Sequence, residues 1–432
     1  MKQLPSIEFL YQIFKQHPQV QTDTRKLKTG DLYFALKGPN FNGNLFAENA
    51  LAAGAAYAII DEPIQIDAKW DAQVFIVADC LTCLQKLAKH HRSQFNIPFI
   101  GITGSNGKTT TKELVTAVLS SHFITYTTLG NLNNHIGVPL TLLSIQMDAQ
   151  MAVIEMGANH LKEIESYCDY AMPNFGLITN CGKAHLEGFG SEEGVKKAKG
   201  ELFDYLRTHN GTVFIMSDYD YLIQMSAGIP NVVAYGAQTG SVQGIANSNH
   251  GMLAVEMTNG FPPVTIQTQL VGDYNLPNVL AAVAIGIYFK VPADKIKKAL
   301  EKYTPSNSRS QLIRWNENEV ILDAYNANPS SMKLAVENFA KVAAPHKVLF
   351  LGGMKELGNT SIQEHQQLID IIDQHKWDKV ILVGGDFADC AHSYLYFQDA
   401  KAAKEWLAQQ SFKGYSFLIK GSRGIQMEQL IA

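Results

Sequence analysis

The chain has 432 residues, of which 46% are hydrophobic and 18% are charged. This composition is typical of a folded globular protein and excludes disordered and fibrous classes. Because domains usually contain about 100–200 residues, the length predicts about three domains. The formal net charge of −4 gives no overall attraction to polyanions, so we expect no nucleic-acid partner.

The sequence shows no sign of export or membrane insertion. Pro5 and Glu8 interrupt the N-terminal stretch where a signal peptide would be continuously apolar. The most apolar internal run, residues 279–289, is shorter than the roughly 18 residues that span a bilayer. Five scattered cysteines do not form a disulfide framework, and Cys80 and Cys83 fit an amphipathic helix better than a metal site. We therefore expect a cytoplasmic protein.

Strand and helix patterns divide the chain into three α/β segments. Residues 1–93 contain the short strand-like pieces DLYFAL, YAIID and VFIVAD, which predict a small N-terminal domain. The strand PFIGIT opens a second segment, 94–304, where MAVIEM, FGLITN and TVFIMS alternate with helical patterns, as in a doubly wound parallel sheet. Turn-forming residues at 303–309 precede a fresh α/β series, which predicts a C-terminal domain at 305–432.

The strongest local signal is a glycine-rich turn between the predicted strand PFIGIT and a helical pattern. Its residues Gly104, Ser105, Asn106, Gly107, Lys108, Thr109 and Thr110 are the candidate nucleotide-binding set. Backbone N–H groups of such a turn surround phosphate oxygens, Lys108 can reach the β and γ phosphates, and Thr109 can hold Mg²⁺. The strict P-loop spacing would need glycine at position 102, where this chain has Ile102. The strand–turn–helix context nevertheless predicts an ATP site.

Two further residues follow predicted strands, at the edge where ligands gather in α/β sheets. Glu155 ends the run MAVIEM and is placed to bind Mg²⁺, although such a residue can also be a cap or an ion-pair partner. His185 follows FGLITN and could bind a metal, but a single histidine is commonly an ordinary surface or core residue. The residues alone leave both alternatives open.

Taken together and in this order, these pieces resemble the Mur ligase family. Besides the loop and the two residues above, the resemblance rests on Asp23–Arg25, Gly30–Gly38, Gly130–Asn134, Gly137–Pro139, Glu155–Asn159, Ala184–Gly190, Lys197–Glu201, Asn275–Asn278, Asp323–Asn328, Met354–Gly358 and Lys420–Arg423. These blocks cover nearly the whole chain. The resemblance implies an N-terminal domain for a UDP-linked substrate, a central P-loop ATPase domain and a C-terminal Rossmann-like domain.

The resemblance also implies roles for individual residues. It implies catalytic roles for Lys108, Lys199, His185 and Glu155, metal binding by Thr109, Glu155, His185 and Lys199, further nucleotide contacts from Asn275, Asn278, Arg309, Asp323 and Asn326, and substrate contacts from Thr24, Arg25, Asn131, Asn133, Asn134, Lys420 and Arg423. Lys199 matches the family lysine that carries a carbamate, an anion better suited than an ammonium to lie beside Mg²⁺. For the asparagines and Asp323, a helix cap or an Asx turn remains an alternative.

Three positions depart from the family pattern. The family often has histidine at the position of Tyr274, glycine at that of Ser308 and aspartate at that of Gly353. Each departure lies near a predicted nucleotide or hinge contact. We therefore expect any differences from the family to concentrate in the C-terminal assignments.

The implied reaction is ATP-dependent joining of D-alanyl-D-alanine to UDP-N-acetylmuramoyl-tripeptide through an acyl phosphate, in peptidoglycan precursor synthesis, by a monomer that uses Mg²⁺. The blocks 326–328 and 420–423 favour this dipeptide-adding branch, with Lys420 and Arg423 in a turn holding the dipeptide carboxylate. Alternatively, Lys420 is solvated and Arg423 pairs with Glu428. The alternative functions are a sister Mur ligase, an amide ligase resembling folylpolyglutamate synthase, or a P-loop module without ligase chemistry.

Overall fold

The computed structural model describes residues 2–4, 6–247, 251–305 and 308–432. Pro5, and Ser306 and Asn307 within the turn-rich stretch predicted as the second boundary, lie outside the described residues. The helices are α1 Ile7–Gln16, α2 Ala47–Ala52, α3 Cys80–Arg92, α4 Lys108–Ser120, α5 Gly137–Ser144, α6 Glu163–Ala171, α7 Leu186–Phe189, α8 Glu192–Thr208, α9 Asp220–Met225, α10 Leu276–Tyr288, α11 Ala293–Lys302, α12 Pro329–Lys341, α13 Ser361–Ile372 and α14 Ala400–Leu407.

The strands are short and spread along the whole chain. They are β1 Lys2–Gln3, β2 Val20–Gln21, β3 Leu32–Phe34, β4 Lys37–Gly38, β5 Phe41–Asn42, β6 Tyr57–Ile60, β7 Val74–Ile76, β8 Phe99–Thr103, β9 Thr125–Thr127, β10 Met151–Glu155, β11 Phe175–Ile178, β12 Thr212–Met216, β13 Asn231–Gly236, β14 Val242–Ala246, β15 Met252–Asn259, β16 Thr265–Val271, β17 Gln311–Trp315, β18 Asn318–Asp323, β19 Lys347–Gly352, β20 Lys379–Val383, β21 Leu395–Phe397 and β22 Ser416–Lys420. The alternation of strands and helices confirms the predicted α/β class.

Packing divides the chain into two compact units. The first contains Met1–Gly101, Ile124–Gly157 and Glu163–Phe175, and the second contains Ile102–Phe123, Ala158–Lys162 and Gly176–Ala432. This grouping does not test the predicted boundaries, so the division into 1–93, 94–304 and 305–432 stays a prediction.

The first unit contains a five-stranded sheet with the order β1-β7-β6-β3-β2, in which every pairing is parallel. Helix α3 begins where the Asp79 side chain accepts a hydrogen bond of 2.6 Å from the Thr82 backbone N–H. Cys80 and Cys83 lie on its buried face, which confirms the predicted amphipathic helix. In the same unit, β10 pairs in parallel with β9 and ends at Glu155.

The second unit contains strands β12, β13 and β14 in parallel pairing, followed by antiparallel pairings of β14 with β15 and of β15 with β16. The sequence predicted β12 as part of a parallel sheet, but not β13, β14 or this antiparallel extension. Within the unit, the Thr179 N–H donates to the Thr103 carbonyl oxygen over 2.9 Å. The residues that follow β11 therefore lie beside the turn that follows β8.

A six-stranded sheet in the second unit has the order β17-β18-β22-β19-β20-β21. Only the β17–β18 pairing is antiparallel. Buried residues of α12 and α13 belong to a core cluster that is separate from the cluster containing residues of α14. Helices cover both faces of this sheet, as expected for a Rossmann-like domain.

No helix among the described residues is both long and apolar enough to cross a membrane.

Candidate active site

The glycine-rich turn between β8 and α4 requires glycine at two positions. Gly104 has φ = +143° and Gly107 has φ = +79°, values that other residues rarely adopt. A Cβ atom on Gly104 would lie 2.0 Å from Oγ1 of Thr179, and one on Gly107 would lie 2.7 Å from Oδ1 of Asn278. Both the backbone torsions and the available space therefore demand glycine.

The turn is held in place by the residues that follow β11. The Ser105 N–H donates to the Asn180 carbonyl oxygen over 2.8 Å, and the Asn106 N–H donates to Asn180 Oδ1 over 3.0 Å. The Thr179 hydroxyl donates to the Asn106 carbonyl oxygen over 2.6 Å. These bonds fix the backbone of the turn without using a ligand.

Helix α4 begins immediately after the turn, at Lys108, and has 13 residues. Its N-cap is Gly107, which offers no side-chain acceptor to the first N–H groups of the helix. The helix dipole adds a partial positive charge at this end. Lys108 folds back over the turn, where Nζ donates to the Gly104 and Ser105 carbonyl oxygens over 2.6 and 3.1 Å. The arrangement is chemically suited to an anion such as a phosphate.

Thr109 and Thr110 occupy the first turn of α4, with Thr109 buried and Thr110 partly buried. Asn278 on α10 braces this helix, and Asn275, which precedes α10, supports Asn278. Asn278 accepts from the Thr111 hydroxyl over 3.0 Å and donates to Asn275 Oδ1 over 2.8 Å, while Asn275 donates to the Val271 carbonyl oxygen over 2.8 Å. In these contacts neither amide caps a helix.

His185 lies at the start of α7 with a left-handed backbone, at φ = +51°. Its Nδ1 atom lies in close contact with the carboxylate of Glu356, and this contact lowers the pKa of Glu356. The His185 side chain is only 19% exposed. Glu356 was not singled out from the sequence, although it lies inside the block Met354–Gly358. Only the fold shows that the two residues meet.

Other C-terminal residues contact the same region of the second unit. Asn328 Nδ2 donates to Asn106 Oδ1 over 2.7 Å, although the two residues are 222 positions apart. The Lys183 ammonium pairs with Glu364 at 2.7 Å, and the Lys183 N–H donates to the Ser330 hydroxyl over 3.0 Å. The turn and the 181–188 segment are thus bound to residues of the C-terminal sequence.

Lys199 lies on α8 and is only 1% exposed, whereas Lys197 on the same helix is exposed. Its Nζ atom donates to the Ala158 carbonyl oxygen over 3.1 Å and lies 5.0 Å from the centre of the Phe189 ring. Lys199 therefore does not belong to the solvated face of this helix.

In the first unit, Glu155 is 1% exposed and ends β10. Asn133 Nδ2 donates to Glu155 Oε1 over 2.7 Å, which fixes the carboxylate. Asn134 Oδ1 accepts from the Ile136 and Gly137 N–H groups over 3.1 and 2.8 Å, so Asn134 shapes its own turn. The third asparagine of this block, Asn131, is exposed.

Near the N-terminus, Arg25 pairs with Asp23, with 2.8 Å between Nη2 and Oδ2. Hydrogen bonds from the side chain and backbone of Arg25 lower the pKa of Asp23 to about 2. The Arg25 side chain is 88% exposed, and Thr24 between them is partly buried. These residues form a local turn on the surface of the first unit.

The Lys420 ammonium lies 2.5 Å from the carboxylate of Asp323 and donates to the Asn326 carbonyl oxygen over 3.2 Å. Lys420 is 2% exposed and is the last residue of β22, so its predicted position in the following turn is wrong. The alternative of a solvated Lys420 is also wrong. The ammonium braces Asp323, which also accepts from the Ser310 N–H over 3.2 Å.

Two guanidinium groups share the ring of Tyr325. The central guanidinium carbon of Arg309 lies 3.6 Å from the ring centre and that of Arg423 lies 5.3 Å from it. Arg423 Nη1 lies 3.4 Å from the Tyr325 hydroxyl, so the residue is oriented by this tyrosine. Together they form a cationic cluster around the ring of Tyr325.

Of the three departures from the family pattern, the structure explains the glycine at position 353, whereas nothing in it explains Tyr274 or Ser308. Tyr274 places its hydroxyl 3.1 Å from the Ser310 hydroxyl, and Ser308 has a left-handed backbone at φ = +55°. A Cβ atom on Gly353 would lie 2.6 Å from the Cα atom of Gly385, so no larger residue fits there without movement. This close approach explains why aspartate is not found at position 353.

The fold and this glycine-rich turn are those of a nucleotide-dependent ligase, and the chain belongs to the Mur ligase family. Three family models match: Mur ligase family, catalytic domain, at 18–92; Mur ligase middle domain at 102–286; and Mur ligase, glutamate ligase domain, at 308–423. They agree with the predicted three-domain fold.

Particular relatives are similar over nearly their whole length. The UDP-N-acetylmuramoyl-tripeptide--D-alanyl-D-alanine ligases of Bacillus subtilis (strain 168) and Escherichia coli (strain K12) are 34% and 35% identical, and each alignment covers 95% of this chain and 92% of the relative. A crystal structure of MurF from Acinetobacter baumannii is 30% identical, with a TM-score of 0.85 and coverage of 95% of this chain and 92% of that one.

A MurF ligase from Thermotoga maritima, solved in complex with ADP, is 24% identical. Its TM-score is 0.85, and the match covers 96% of each chain. At this identity the likeness supports the fold alone.

Proposed function

We propose that this chain joins D-alanyl-D-alanine to UDP-N-acetylmuramoyl-tripeptide at the expense of ATP. The observation that carries the proposal is the similarity, over nearly the whole chain, to two ligases named for this reaction, at 34% and 35% identity. The glycine-rich turn with its helix N-terminus and Lys108 supports the use of ATP. We place the reaction in the cytoplasm and expect a monomer, as the sequence indicates.

In the first step, a carboxylate oxygen of the tripeptide attacks the γ-phosphorus of ATP. A bond from carboxylate oxygen to phosphorus forms, the bond to the β–γ bridging oxygen breaks, and ADP leaves with that electron pair. Lys108 exchanges its two carbonyl partners for phosphate oxygens and stabilises the charge on the transferring group. The preorganised turn positions the nucleotide for this attack.

In the second step, the amine of D-alanyl-D-alanine attacks the acyl carbon and gives up a proton. A carbon–nitrogen bond forms, and inorganic phosphate leaves with the electrons of the carbon–oxygen bond. We propose that Arg423, oriented by Tyr325, holds the carboxylate of the incoming dipeptide. For Lys420 we propose a different role from holding the dipeptide carboxylate. Its ammonium pairs with Asp323 and so holds the turn that carries Tyr325.

The donor set fits a magnesium ion that is shared with phosphates. No group of three or more histidine, cysteine or acidic side chains among the described residues is arranged to hold a metal by itself. Mg²⁺ is commonly bound by one or two carboxylates together with substrate phosphates, so such a cluster is not required. We propose Thr109, Glu155, His185 and a carbamylated Lys199 as the residues that hold it. The bound ion would neutralise charge on the phosphates.

The roles of several other residues also stay proposals. Asn275 and Asn278 would support the nucleotide by bracing α4, since their amides are engaged within the protein. Arg309, Asp323 and Asn326 would contribute from the C-terminal sequence. For the UDP-linked substrate we propose contacts from Thr24, Arg25, Asn131, Asn133 and Asn134.

A substrate panel tests the proposal. Phosphate release is measured with ATP and UDP-muramoyl peptides of two and three residues, each with D-alanyl-D-alanine, D-glutamate or L-lysine as the amine. We expect release only when the tripeptide and D-alanyl-D-alanine are present together. Release with the dipeptide precursor and a single amino acid would assign the chain to a sister ligase. Release that ignores both acid and amine would exclude ligase chemistry.

A further inference from the structure

The contact between His185 and Glu356 joins two residues that are each in an unfavourable backbone conformation. His185 has φ = +51° and Glu356 has φ = +63°. Such conformations are unfavourable for residues other than glycine and concentrate at functional sites. A contact whose acidic partner is 52% exposed contributes little to stability. Stability alone does not explain why this pair is built.

The main chain holds the two partners together independently of their side chains. The Glu187 N–H donates to the Glu356 carbonyl oxygen over 3.3 Å. Leu186 packs against the same core cluster that contains Met354 and Leu357. The segment that carries Glu356 is therefore held in place without the contact between the Glu356 and His185 side chains. Removal of the carboxylate should leave that segment in place.

The contact with Glu356 affects which ring nitrogen of His185 carries the proton and which can bind a cation. The Glu356 carboxylate lies against Nδ1 of His185, so a neutral ring is expected to carry its proton on Nδ1 and to keep a lone pair on Nε2 for a cation. Histidines that bind metals almost always donate their other ring N–H to a carboxylate, a carbonyl oxygen or water, and that partner fixes the tautomer and the ring orientation.

We propose that Glu356 is a positioning residue that prepares His185 to bind the divalent cation. The inference rests on the proposed function, since it assumes that His185 holds the metal. It adds a role for the segment Met354–Gly358, which supplies the carboxylate from the C-terminal sequence. The absence of Glu356 would weaken cation binding without removing any atom that touches the cation.

The test measures the binding of Mn²⁺ to the protein–ADP complex. The concentration of free Mn²⁺ is read from its electron paramagnetic resonance signal. We expect Glu356→Ala to raise the Mn²⁺ dissociation constant about 10- to 100-fold, and Glu356→Gln, whose amide oxygen can still accept from Nδ1, to raise it less. The matched control is Glu405→Ala, which removes the same charge from an exposed position on α14. The control should bind Mn²⁺ like the wild type.

A second readout is the ¹⁵N resonance pair of the His185 ring in the protein without metal. The wild type should show the proton on Nδ1, and Glu356→Ala should show a mixture of tautomers. Unchanged Mn²⁺ affinity in Glu356→Ala, or an equal loss in Glu405→Ala, would overturn the inference. His185→Ala distinguishes failure of the metal site from failure of the role of Glu356. If His185→Ala also binds Mn²⁺ normally, the proposed metal site is wrong. If His185→Ala weakens binding and Glu356→Ala does not, only the role of Glu356 is wrong.

Discussion

Replacing Gly104 by alanine should damage both the stability and the nucleotide affinity of the protein. The new Cβ atom would lie 2.0 Å from Oγ1 and 3.0 Å from the backbone nitrogen of Thr179. Thr179 would have to turn away and lose its 2.6 Å hydrogen bond to the Asn106 carbonyl oxygen. The turn would then lose one of the bonds that hold its backbone in shape.

The magnitude follows from three contributions. A residue other than glycine at φ = +143° costs about 1–3 kcal/mol. The lost hydrogen bond costs about 0.5–1.5 kcal/mol. The smaller conformational freedom of alanine in the unfolded chain offsets about 0.4–1 kcal/mol. These contributions sum to a net loss of about 0.5–4 kcal/mol of unfolding free energy, with a central value of about 2 kcal/mol.

The measurements are urea unfolding and the dissociation constant for ADP, which should rise at least about tenfold. Gly414→Ala is the matched control, because Gly414 has φ = +72° but open space around its Cβ position. It should lose only about 1 kcal/mol, since it meets torsional strain without a clash. If Gly104→Ala is no less stable than this control and binds ADP normally, the steric argument is wrong. Adding Thr179→Ala should recover part of the loss, since it removes the nearest clashing atom.

Five further substitutions have expected outcomes. Lys108→Ala should abolish phosphate release while the protein stays folded by circular dichroism, because charge stabilisation at the transferred group is lost. Lys199→Ala should be nearly inactive and partly restored by a small added carboxylate, and ¹³C-labelled bicarbonate should label Lys199 of the wild type. Lys420→Ala should lose about 1–3 kcal/mol of stability by leaving the partly buried carboxylate of Asp323 without its ammonium partner, whereas Arg423→Ala should stay stable and need about 10- to 100-fold more dipeptide. Burial lowers the pKa of His365, whose ring nitrogens bond the Met354 N–H and the Ser361 carbonyl oxygen. The free energy of unfolding should therefore fall as the pH drops below about 6.5, the pKa of histidine in the unfolded chain. His365→Gln should reduce this fall in urea titrations at several pH values.

The sequence determined the local elements of this protein and its family. The strand, glycine turn and helix around Gly104 and Lys108 are a contiguous pattern, so composition and spacing alone predict them. The amphipathic helix that carries Cys80 and Cys83 is likewise local, because its apolar residues recur at helical spacing. The order of the blocks along the chain then identified the family without any knowledge of side-chain positions.

The tertiary structure decided which polar side chains meet. Lys420 and Asp323 are 97 residues apart, and their pairing depends on the parallel register of β18 and β22. Asn106 with Asn328 and His185 with Glu356 are also pairs of residues from distant segments of the second unit. Periodicity in the sequence reports the face on which a residue lies, but a charged residue at the end of a strand could pair with many partners. Only the packing of the sheets and their loops selects one of them.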